Sequence, residues 1–592
     1  MIRLKSFLFA ALSFCSLRLI GEGSEYGSLL IESTSDLYEM QEERYIQRGF
    51  LPALLERPLS FSSFPGIPEI RHAIALPAAD SFFIPRVRGT IQFGTSTLLN
   101  RYTMRTMNEF VYAEDGILDL DGDGTAETPQ TSDNYGTDWG FTGNTKQISP
   151  YEAVYGAFDM QSAIRLDMAV ITGPFGISYS QDFRPAYSYF TEDQDYTNIP
   201  LDIGAIDVNF PYRTYINYYS NWFEAAFGRD RLQNGPGRHS LTLNEKIPYY
   251  DHVRLRFKTG AISHTTYFIR LNPALSSGEM QYINYLYDNW NDDSFIEPNA
   301  SWNPRIFDQS KHYVISKLGI HPFSRLHIAV TQMHLIGGRV PQLPDFNPLM
   351  VYHNLYEEGQ YSVPISFSAA MIPVNGLRVY GEVLIYDLEF GNEVGNAAST
   401  NPNALAYQAG CTGVTRPLKR FGNGYLRIDA EWNYVMPWVY AEESSYRNMS
   451  SRFIFTDPYR GRKWVDFPLG FYLGPDSFES YLSVLYKTGK WDLGLSWTFT
   501  GKGSVYLEGY GSESPIANRE LYEQKGLLTQ KPGERITYDH EIILKGKTAL
   551  QTLSGTLSCE AKTGLRIIQN LNHEPGSDFL TPVAGITVSY SY

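Results

Sequence analysis

Several segments of this 592-residue chain alternate between apolar and polar side chains at every second position, and this alternation constrains the fold most. A period of two is typical of a β-strand with one apolar and one polar face. The pattern recurs at 164–170, 377–386, 425–434, 491–499 and 584–592. The clearest example is 252–258, where Val253, Leu255 and Phe257 alternate with Arg254, Arg256 and Lys258. The sequence therefore predicts a large, two-faced antiparallel sheet.

The connections between these segments alternate in length. Short turns are expected at 173–174, 259–260, 321–322, 373–376 and 488–490. Long polar stretches lie between them, at 104–150, 184–200, 271–311, 337–361, 389–403, 437–477 and 501–537. Short turns at one end and long loops at the other are characteristic of outer-membrane barrels, and we count about eighteen strands. The last predicted strand ends on the aromatic Tyr592, which resembles the final strand of such barrels.

The predicted fold is therefore all-β: a transmembrane antiparallel outer-membrane β-barrel of about eighteen strands with a small N-terminal helical segment. Aromatic residues make up 15% of the chain and charged residues 19%, which suits many half-buried strands. The net charge of −15 argues against a nucleic-acid partner, because such binding depends on clustered Lys and Arg. A large secreted β-sandwich or a propeller is the alternative, although no repeat of blade length supports a propeller.

The N-terminal residues have the features of a secretory signal peptide. Arg3 and Lys5 precede an apolar run at 6–17, and small residues follow at Gly21 and Gly23. We assign 1–23 to this signal, 24–85 to a periplasmic helical segment and 86–592 to the barrel. This division places the protein in the outer membrane of a Gram-negative-type cell envelope.

The segment before the barrel contains one clear helix pattern. Ser33 or Ser35 can cap a helix that includes Tyr38 and Ile46, and Gly49 is placed to end it. Its apolar face is too short to form a core of its own, so we expect the helix to dock on the barrel.

An arginine-rich loop with a glycine hinge follows one of the predicted strands. If that strand continues through Arg229 and Arg231, these share a face, and Arg238 returns after the chain reverses, so that three guanidinium groups converge. Guanidinium groups suit bidentate contact with the carboxylate or phosphate groups of acidic polysaccharides. The structural alternative is that the arginines pair with inward carboxylates such as Glu382 or Glu431. The predicted polysaccharide-binding residues are Arg229, Arg231, Gly235, Pro236, Gly237, Arg238 and His239.

Residues 227–243 resemble the signature region of the capsule-assembly Wzi family, outer-membrane proteins that hold surface polysaccharide. Three further parts of the chain look similar to that family in the same order: 45–49 with 57–60, 347–348 with 352–354, and 377–387. Members often carry tryptophan just before Gly-Pro-Gly, where this chain has Gln233 and Asn234, so a sugar-stacking aromatic is absent there. The resemblance implies a protein that binds and organises capsular or exopolysaccharide without catalysis. The residues that match the signature are Gly228, Arg229, Gly235, Pro236, Gly237, Ser240 and Leu241.

Asp119, Asp121 and Asp123 have the carboxylate spacing of a calcium-binding loop. Oxygen ligands at alternating positions can converge on one hard cation. The last ligand position holds Gln130 in place of a bidentate glutamate, and a solvated acidic turn is the alternative. We expect no required cofactor, with a structural Ca²⁺ as one possibility.

Two other patterns resemble catalytic sites, and each has a plainer interpretation. His239 stands next to Ser240, but adjacency in sequence does not supply the geometry that a nucleophile needs. Inward carboxylates such as Glu382, Asp429 and Glu431 could mimic a glycosidase pair. Because unpaired buried charges are costly, we expect these carboxylates to pair with arginines of the barrel interior. The candidate partners are Arg254, Arg256, Arg378 and Arg427.

The predicted function is polysaccharide binding and assembly by a monomeric protein that is not an enzyme. Its expected partners are capsular or exopolysaccharide and outer-membrane lipid. A passive, porin-like channel and an envelope glycan-modifying enzyme are the alternatives. Facing rows of arginine and carboxylate suggest a plugged lumen, which weakly favours the first function over a channel. We also expect Arg254, on the polar face of its strand, to tolerate polar replacement.

Overall fold

The computed structural model describes most of the predicted strands and the segments that connect many of them. The described residues are 30–31, 36–51, 56–57, 59–60, 83–95, 164–172, 174–185, 195–197, 206–207, 213–275, 308–347, 360–388, 403–417, 424–442, 444–457, 461–488, 490–505, 507, 528–530, 533–552 and 555–591. The predicted signal peptide, the candidate helix caps Ser33 and Ser35, and the acidic loop with Asp119, Asp121 and Asp123 lie outside these residues.

Eighteen long antiparallel strands form one closed ring in the described part of the chain, each paired with the next in sequence. The last strand pairs with the first, which closes the ring. Three short strands, Asp195–Thr197, Ile206–Asp207 and Gln360–Ser362, extend their neighbours. The predicted antiparallel barrel of about eighteen strands is thus confirmed. The ring strands are β1 (Phe83–Thr95), β2 (Ile164–Thr172), β3 (Phe175–Pro185), β4 (Arg213–Tyr219), β5 (Phe223–Asp230), β6 (Tyr250–Thr259), β7 (Ile262–Leu271), β8 (Lys311–Phe323), β9 (Leu326–Gly337), β10 (Ile365–Val374), β11 (Leu377–Asp387), β12 (Ala404–Val414), β13 (Tyr425–Val435), β14 (Ser477–Lys487), β15 (Trp491–Lys502), β16 (Thr537–Gln551), β17 (Thr556–Gln569) and β18 (Phe579–Ser591).

The two faces of the ring differ in polarity, as the alternation predicts. On β6, Arg254 and Arg256 point into the lumen and are buried, whereas Phe257 is exposed on the outer wall. A closed ring pairs the backbone of every strand with a neighbour, which is the condition for strands to cross hydrocarbon. The protein is therefore a barrel of the outer-membrane type whose apolar band faces lipid. That band includes Phe227, Leu318, Ile320, Phe367, Leu482, Leu493, Leu495, Leu544, Leu565 and Ile586.

Short connections gather at one end of the ring, between β2 and β3, β4 and β5, β6 and β7, β8 and β9, β10 and β11, β14 and β15, and β16 and β17. Gly260 and Gly376 adopt a positive φ in two of these turns, a conformation that glycine takes without steric cost. One predicted turn is displaced. His321 and Pro322 lie within β8 at a register irregularity, and the chain reverses at 324–325 instead. Proline is tolerated there because a bulge does not use the missing N–H donor.

Helix α1 (Asp36–Arg48) docks inside the short-turn end of the ring. Gly49, with φ of +81°, follows its last turn as predicted. Ile46 and Leu51 pack against Ile372, which points into the lumen from β10. The expectation that the helix docks on the barrel is confirmed. Within the described residues, no helix is both long enough and apolar enough to cross a membrane.

Among the described residues, three further antiparallel pairings lie outside the ring. One of them, Glu56–Arg57 with Gln233–Asn234, joins the segment before the barrel to the connection between β5 and β6. Strand β1 begins at Phe83, shortly before the predicted boundary at residue 86. The pairings are Leu30–Ile31 with Leu59–Ser60, Glu56–Arg57 with Gln233–Asn234, and Ser450–Asp457 with Gly461–Pro468.

Candidate functional site

The connection between β5 and β6, residues 231–249, folds into the lumen from the long-loop end, and we call it the lumen loop. Its side chains Leu232, Leu241, Leu243 and Ile247 are fully buried. These side chains form an apolar core inside the lumen at the long-loop end. The sequence alone did not predict that this loop is buried. The other members of this core include Tyr313, Met333 and Leu335 of the ring, and Val439, Tyr440, Met449, Leu469 and Phe471 of the connection between β13 and β14.

The Gly-Pro-Gly turn of the lumen loop lies directly against inward side chains of the ring. Gly235 has φ of +128°, and a Cβ there would lie 2.7 Å from Oε2 of Glu382. A Cβ at Gly237 would overlap the side chain of Gln408. Glu382, an expected partner of an arginine, instead accepts a hydrogen bond from the Ser366 hydroxyl at 2.8 Å. Both glycines are therefore required by close approach to the wall.

Glu431 of β13 holds the backbone of the lumen loop. Its Oε2 accepts hydrogen bonds from the Arg238 N–H at 2.5 Å and from the Tyr380 hydroxyl at 2.7 Å. Its Oε1 accepts from the His239 N–H at 3.2 Å and from the Asn433 amide at 2.9 Å. Hydrogen bonds to an ionised acceptor are the strong ones, so this buried carboxylate is a principal anchor of the loop.

The side chain of Arg238 stays 38% exposed inside the ring. Its Nη1 donates to Glu479 Oε1 at 2.9 Å, and the guanidinium carbon lies 3.8 Å from the centroid of the Tyr481 ring. Both partners stand on the inward face of β14, two residues apart. Because a guanidinium carries five N–H donors, Arg238 can still donate to an added acidic group.

His239 lies between two carboxylates. Its Nδ1 is 2.5 Å from Glu245 Oε1, and its Nε2 is 3.2 Å from Glu479 Oε1. Burial lowers the pKa of His239, but the two carboxylates raise it by more, so that the pKa lies above its ordinary value. The hydroxyl of Ser240 donates to the carbonyl oxygen of Asn234 within the turn. The ring of His239 and the hydroxyl of Ser240 thus serve different partners, and both hold the loop.

The three arginines do not converge, contrary to the prediction. Strand β5 ends before Arg231, and its alternation places Arg229 on the outer wall. There Arg229 forms a bidentate pair with Asp251 at 2.7 and 2.8 Å and stacks 3.8 Å from the ring centroid of Tyr249. The Nε of Arg231 donates to a backbone carbonyl of its own loop at 3.4 Å. Because Arg229 and Arg238 lie on opposite sides of the wall, one sugar residue cannot contact both.

The inward charges pair both within one strand and between neighbouring strands, in part differently from the prediction. Arg427 binds Asp429 at 2.7 Å, as expected. Arg254 and Arg256 both bind Glu224, which the register of β5 and β6 places beside them. Arg254 is fully buried in this contact, and the expected tolerance of polar replacement there stays a prediction. Partner choice follows from strand register, which local sequence does not determine.

Helix α1 presents an acidic face to the basic interior of the ring. Glu42 pairs with Arg378 at 2.5 Å and with Arg427 at 3.0 Å, and Glu43 pairs with Lys487 at 2.8 Å. Arg378 also donates to the proline carbonyl of the Gly-Pro-Gly turn, so one guanidinium joins the helix to the lumen loop. Our sequence interpretation missed this contact, although acidic residues spaced three and four apart on one helix face signal it.

The inward side chains of β14 to β17 are less covered than those on the opposite side of the ring. They offer hydroxyl, carboxylate and ammonium groups beside Arg238, and such groups bind carbohydrate through hydrogen bonds. The half-buried members are Tyr481, Ser483, Ser496, Thr498, Glu541 and Lys562.

The predicted calcium ligands cannot be placed, because Asp119, Asp121 and Asp123 lie outside the described residues. Across the residues that are described, no group of His, Cys, Asp or Glu is arranged to hold a metal ion. A structural Ca²⁺ at the acidic loop therefore stays a prediction.

No family model and no curated protein match the sequence. Among solved structures, Wzi, an outer membrane protein involved in group 1 capsule assembly in Escherichia coli and named a carbohydrate binding β-barrel, is 12% identical. The match covers 95% of this chain and 99% of Wzi, with a TM-score of 0.49. The chain is thus similar to Wzi, whose family its motifs resemble.

Other solved structures match as well. OccK5 (OpdH) of Pseudomonas aeruginosa is 8% identical over 72% of this chain and 91% of its own, with a TM-score of 0.35. The outer membrane channel DcaP of Acinetobacter baumannii is 10% identical over 86% of this chain and 97% of its own, with a TM-score of 0.30.

Proposed function

We propose that this protein binds and organises capsular or exopolysaccharide at the outer surface of the outer membrane, without catalysis. The observation that carries the proposal is the filled lumen. The lumen loop and the connection between β13 and β14 pack into the ring from the long-loop end, and helix α1 packs in from the short-turn end. A barrel with chain packed into its lumen from both ends suits the support of binding loops better than the free diffusion of solutes through it. The motif resemblance to the Wzi family supports the same function.

In this proposal Arg238 and Tyr481 make the central sugar contacts. The exposed part of the guanidinium offers charge-assisted hydrogen bonds to uronate, pyruvate or phosphate groups. The hydroxyl groups along β14 and β15 are placed to bind neutral sugar positions. The other predicted binding residues then shape or flank the loop: Arg229, Arg231, Gly235, Pro236, Gly237 and His239.

A passive channel is the second candidate, and one observation favours it. The inward side chains of β14 to β17 are polar and half-buried, as expected for the lining of a water-filled path. The two functions differ in planar-bilayer recordings. A polysaccharide-binding barrel with a filled lumen should conduct no steady current, whereas a channel should conduct without any added polymer.

The decisive experiment uses a strain that lacks the gene, complemented with the unmodified protein, with Arg238→Gln or with the control Arg229→Gln. We expect Arg238→Gln to reduce the polysaccharide retained on cells and the affinity of the purified protein for an acidic polymer. The Arg229→Gln control should retain both, because Arg229 lies on the outer wall. Added salt should weaken the remaining binding, since charge pairs at an accessible site are screened.

Two results would contradict the proposal. A folded Arg238→Gln protein that binds and retains polymer normally would remove Arg238 from the site. Unchanged surface polysaccharide in the deletion strain would remove the function itself. If Arg238→Gln instead lowers yield or stability, Arg238 has the structural role, because Glu479 then loses a partner in a buried position.

A further inference from the structure

The connection that follows β9 lies against the outer wall of the ring, and we call residues 338–347 the wall loop. Strand alternation places Ile336 of β9 and Val314 of β8 on the outer wall, yet both are buried. They form an apolar cluster with Phe268 that is separate from the lumen core. The ring centroid of Phe346 lies 5.2 Å from that of Phe268. The wall loop thus covers part of the outer wall.

The wall loop directs its charges toward the barrel. Its sequence contains two charged residues, Arg339 and Asp345. The Nη1 and Nη2 atoms of Arg339 donate to the Asp345 carboxylate at 2.7 and 3.1 Å, and the N–H of Gln342 donates to it at 2.7 Å. Asp345 also lies 3.6 Å from Nδ1 of His334 on the wall. Asp345 is fully buried and Arg339 nearly so, and the loop therefore presents no net charge outward.

The outward face of the wall loop is apolar. Val340 is 57% exposed, Leu343 is 85% exposed and Phe346 is 44% exposed. Two prolines between these positions lack an N–H group, so the backbone has fewer donors that need water. An apolar patch of this kind is unfavourable in water and marks a surface that something apolar covers.

The patch continues the lipid-facing band of the ring. Cross-strand pairing connects Val314 to Phe268, Phe268 to Val253, and Val253 to Phe227. Phe227, at the far end of this row, is 65% exposed on the outer wall. The wall loop therefore rests on a row of side chains that belongs to the band facing lipid.

We propose that the wall loop is embedded in the outer leaflet of the membrane, where Val340, Leu343 and Phe346 contact lipid acyl chains. We infer that lipid covers this patch because the patch is continuous with the apolar band of the barrel that faces hydrocarbon. In addition, the two charged side chains of the loop point toward the barrel wall and away from the patch. The wall loop, at the long-loop end of the ring, then anchors the protein in the membrane interface. This inference does not depend on polysaccharide binding.

The test places a nitroxide label at Leu343→Cys in a protein whose Cys411 and Cys559 are changed to Ser, reconstituted in phospholipid vesicles. Collisions of the label with oxygen, which concentrates in hydrocarbon, are compared with collisions with a water-soluble nickel chelate. Reference labels at Leu318→Cys on the outer wall and Lys490→Cys in a short turn define the lipid and water limits. We expect the label at 343 to match the label at 318.

A second variant tests the ion pair. Arg339→Gln leaves Asp345 without its guanidinium partner, so we expect the label at 343 to shift toward the chelate as the loop moves to water. A label at 343 that matches the label at 490 in the unmodified loop would overturn the proposal. Spectral broadening at 343 that disappears on dilution with unlabelled protein would also overturn it, because a second copy of the chain would then cover the patch.

Discussion

Replacement of Glu431 by glutamine should release the lumen loop while leaving the ring closed. Glu431 accepts four hydrogen bonds, two of them from the backbone of Arg238 and His239. The other two donors, Tyr380 and Asn433, belong to the ring. Glutamine has nearly the same shape, so the substitution changes the acceptor capacity and the charge and creates no cavity.

The expected magnitude follows from counting acceptors. A carboxylate has two acceptor oxygens and an amide has one, so two of the four donors lose their acceptor. A hydrogen bond to a charged group contributes about 1.5–3 kcal/mol. We take the lower end, about 3 kcal/mol for two bonds, because the Tyr380 hydroxyl and the Asn433 amide can turn to other acceptors. Since about 1.4 kcal/mol corresponds to a factor of ten, the open loop should become roughly a hundredfold more populated.

Trypsin provides the assay, because the lumen loop contains Arg238 and Lys246, and cleavage after them requires the loop to leave the lumen. When opening and closing are fast, the cleavage rate follows the open population. We expect roughly hundredfold faster cleavage in Glu431→Gln, with the fragments identified by mass. The control is Glu541→Gln, an inward carboxylate on β16. Equal rates for Glu431→Gln and the unmodified protein would refute the anchor role, and equal acceleration in both variants would indicate general loosening.

Other parts of the molecule give three more expected outcomes. Leu255 faces lipid, so Leu255→Arg should lower the free energy of unfolding by about 2–4 kcal/mol in vesicles, and a neutral result would contradict the assigned wall face. The pKa of His239 is raised in the folded protein, so its stabilising contribution is complete below about pH 6.5 and is lost as pH rises through the raised value. The unfolding midpoint should therefore fall more as pH rises above about 6.5 in the unmodified protein than in His239→Gln. A chelator should increase protease cleavage near Asp119, Asp121 and Asp123, and replacement of all three by Asn should remove that response; no chelator effect on the unmodified protein supports a solvated acidic turn.

The ring itself was predictable because its physical requirement is local. Each strand has to place apolar side chains toward lipid and polar side chains inward, so apolar and polar residues alternate at every second position of its sequence. The misplaced turn at His321 and Pro322 shows the limit of this reasoning. Proline marks turns and also bulges, and β8 uses it in a bulge. The C-terminal end of helix α1 was predictable from Gly49, because a glycine that ends a helix is also a local sequence signal.

The site was less predictable because its contacts are long-range. The sequence identifies the Gly-Pro-Gly turn, but whether a loop stands above the rim or enters the lumen depends on what fills the ring. Ion-pair partners depend on the register between neighbouring strands, as the ion pair of Arg254 with Glu224 shows. The apolar spacing of Leu241 and Leu243 was a usable sign that the lumen loop is interior, since an exposed loop gains nothing from it.

The pairing of Glu56–Arg57 with Gln233–Asn234 constrains the order in which the protein is assembled. The seam between β1 and β18 joins the two ends of the barrel sequence, and such non-local pairing forms slowly. Until the seam forms, the unfinished sheet has two open edges that can pair with other chains. The chain ahead of β1 reaches the buried lumen loop most directly while those edges are apart. During assembly, the N-terminal segment should therefore pair with the lumen loop before β1 pairs with β18. A barrel that closes before this pairing forms should not reach the native structure.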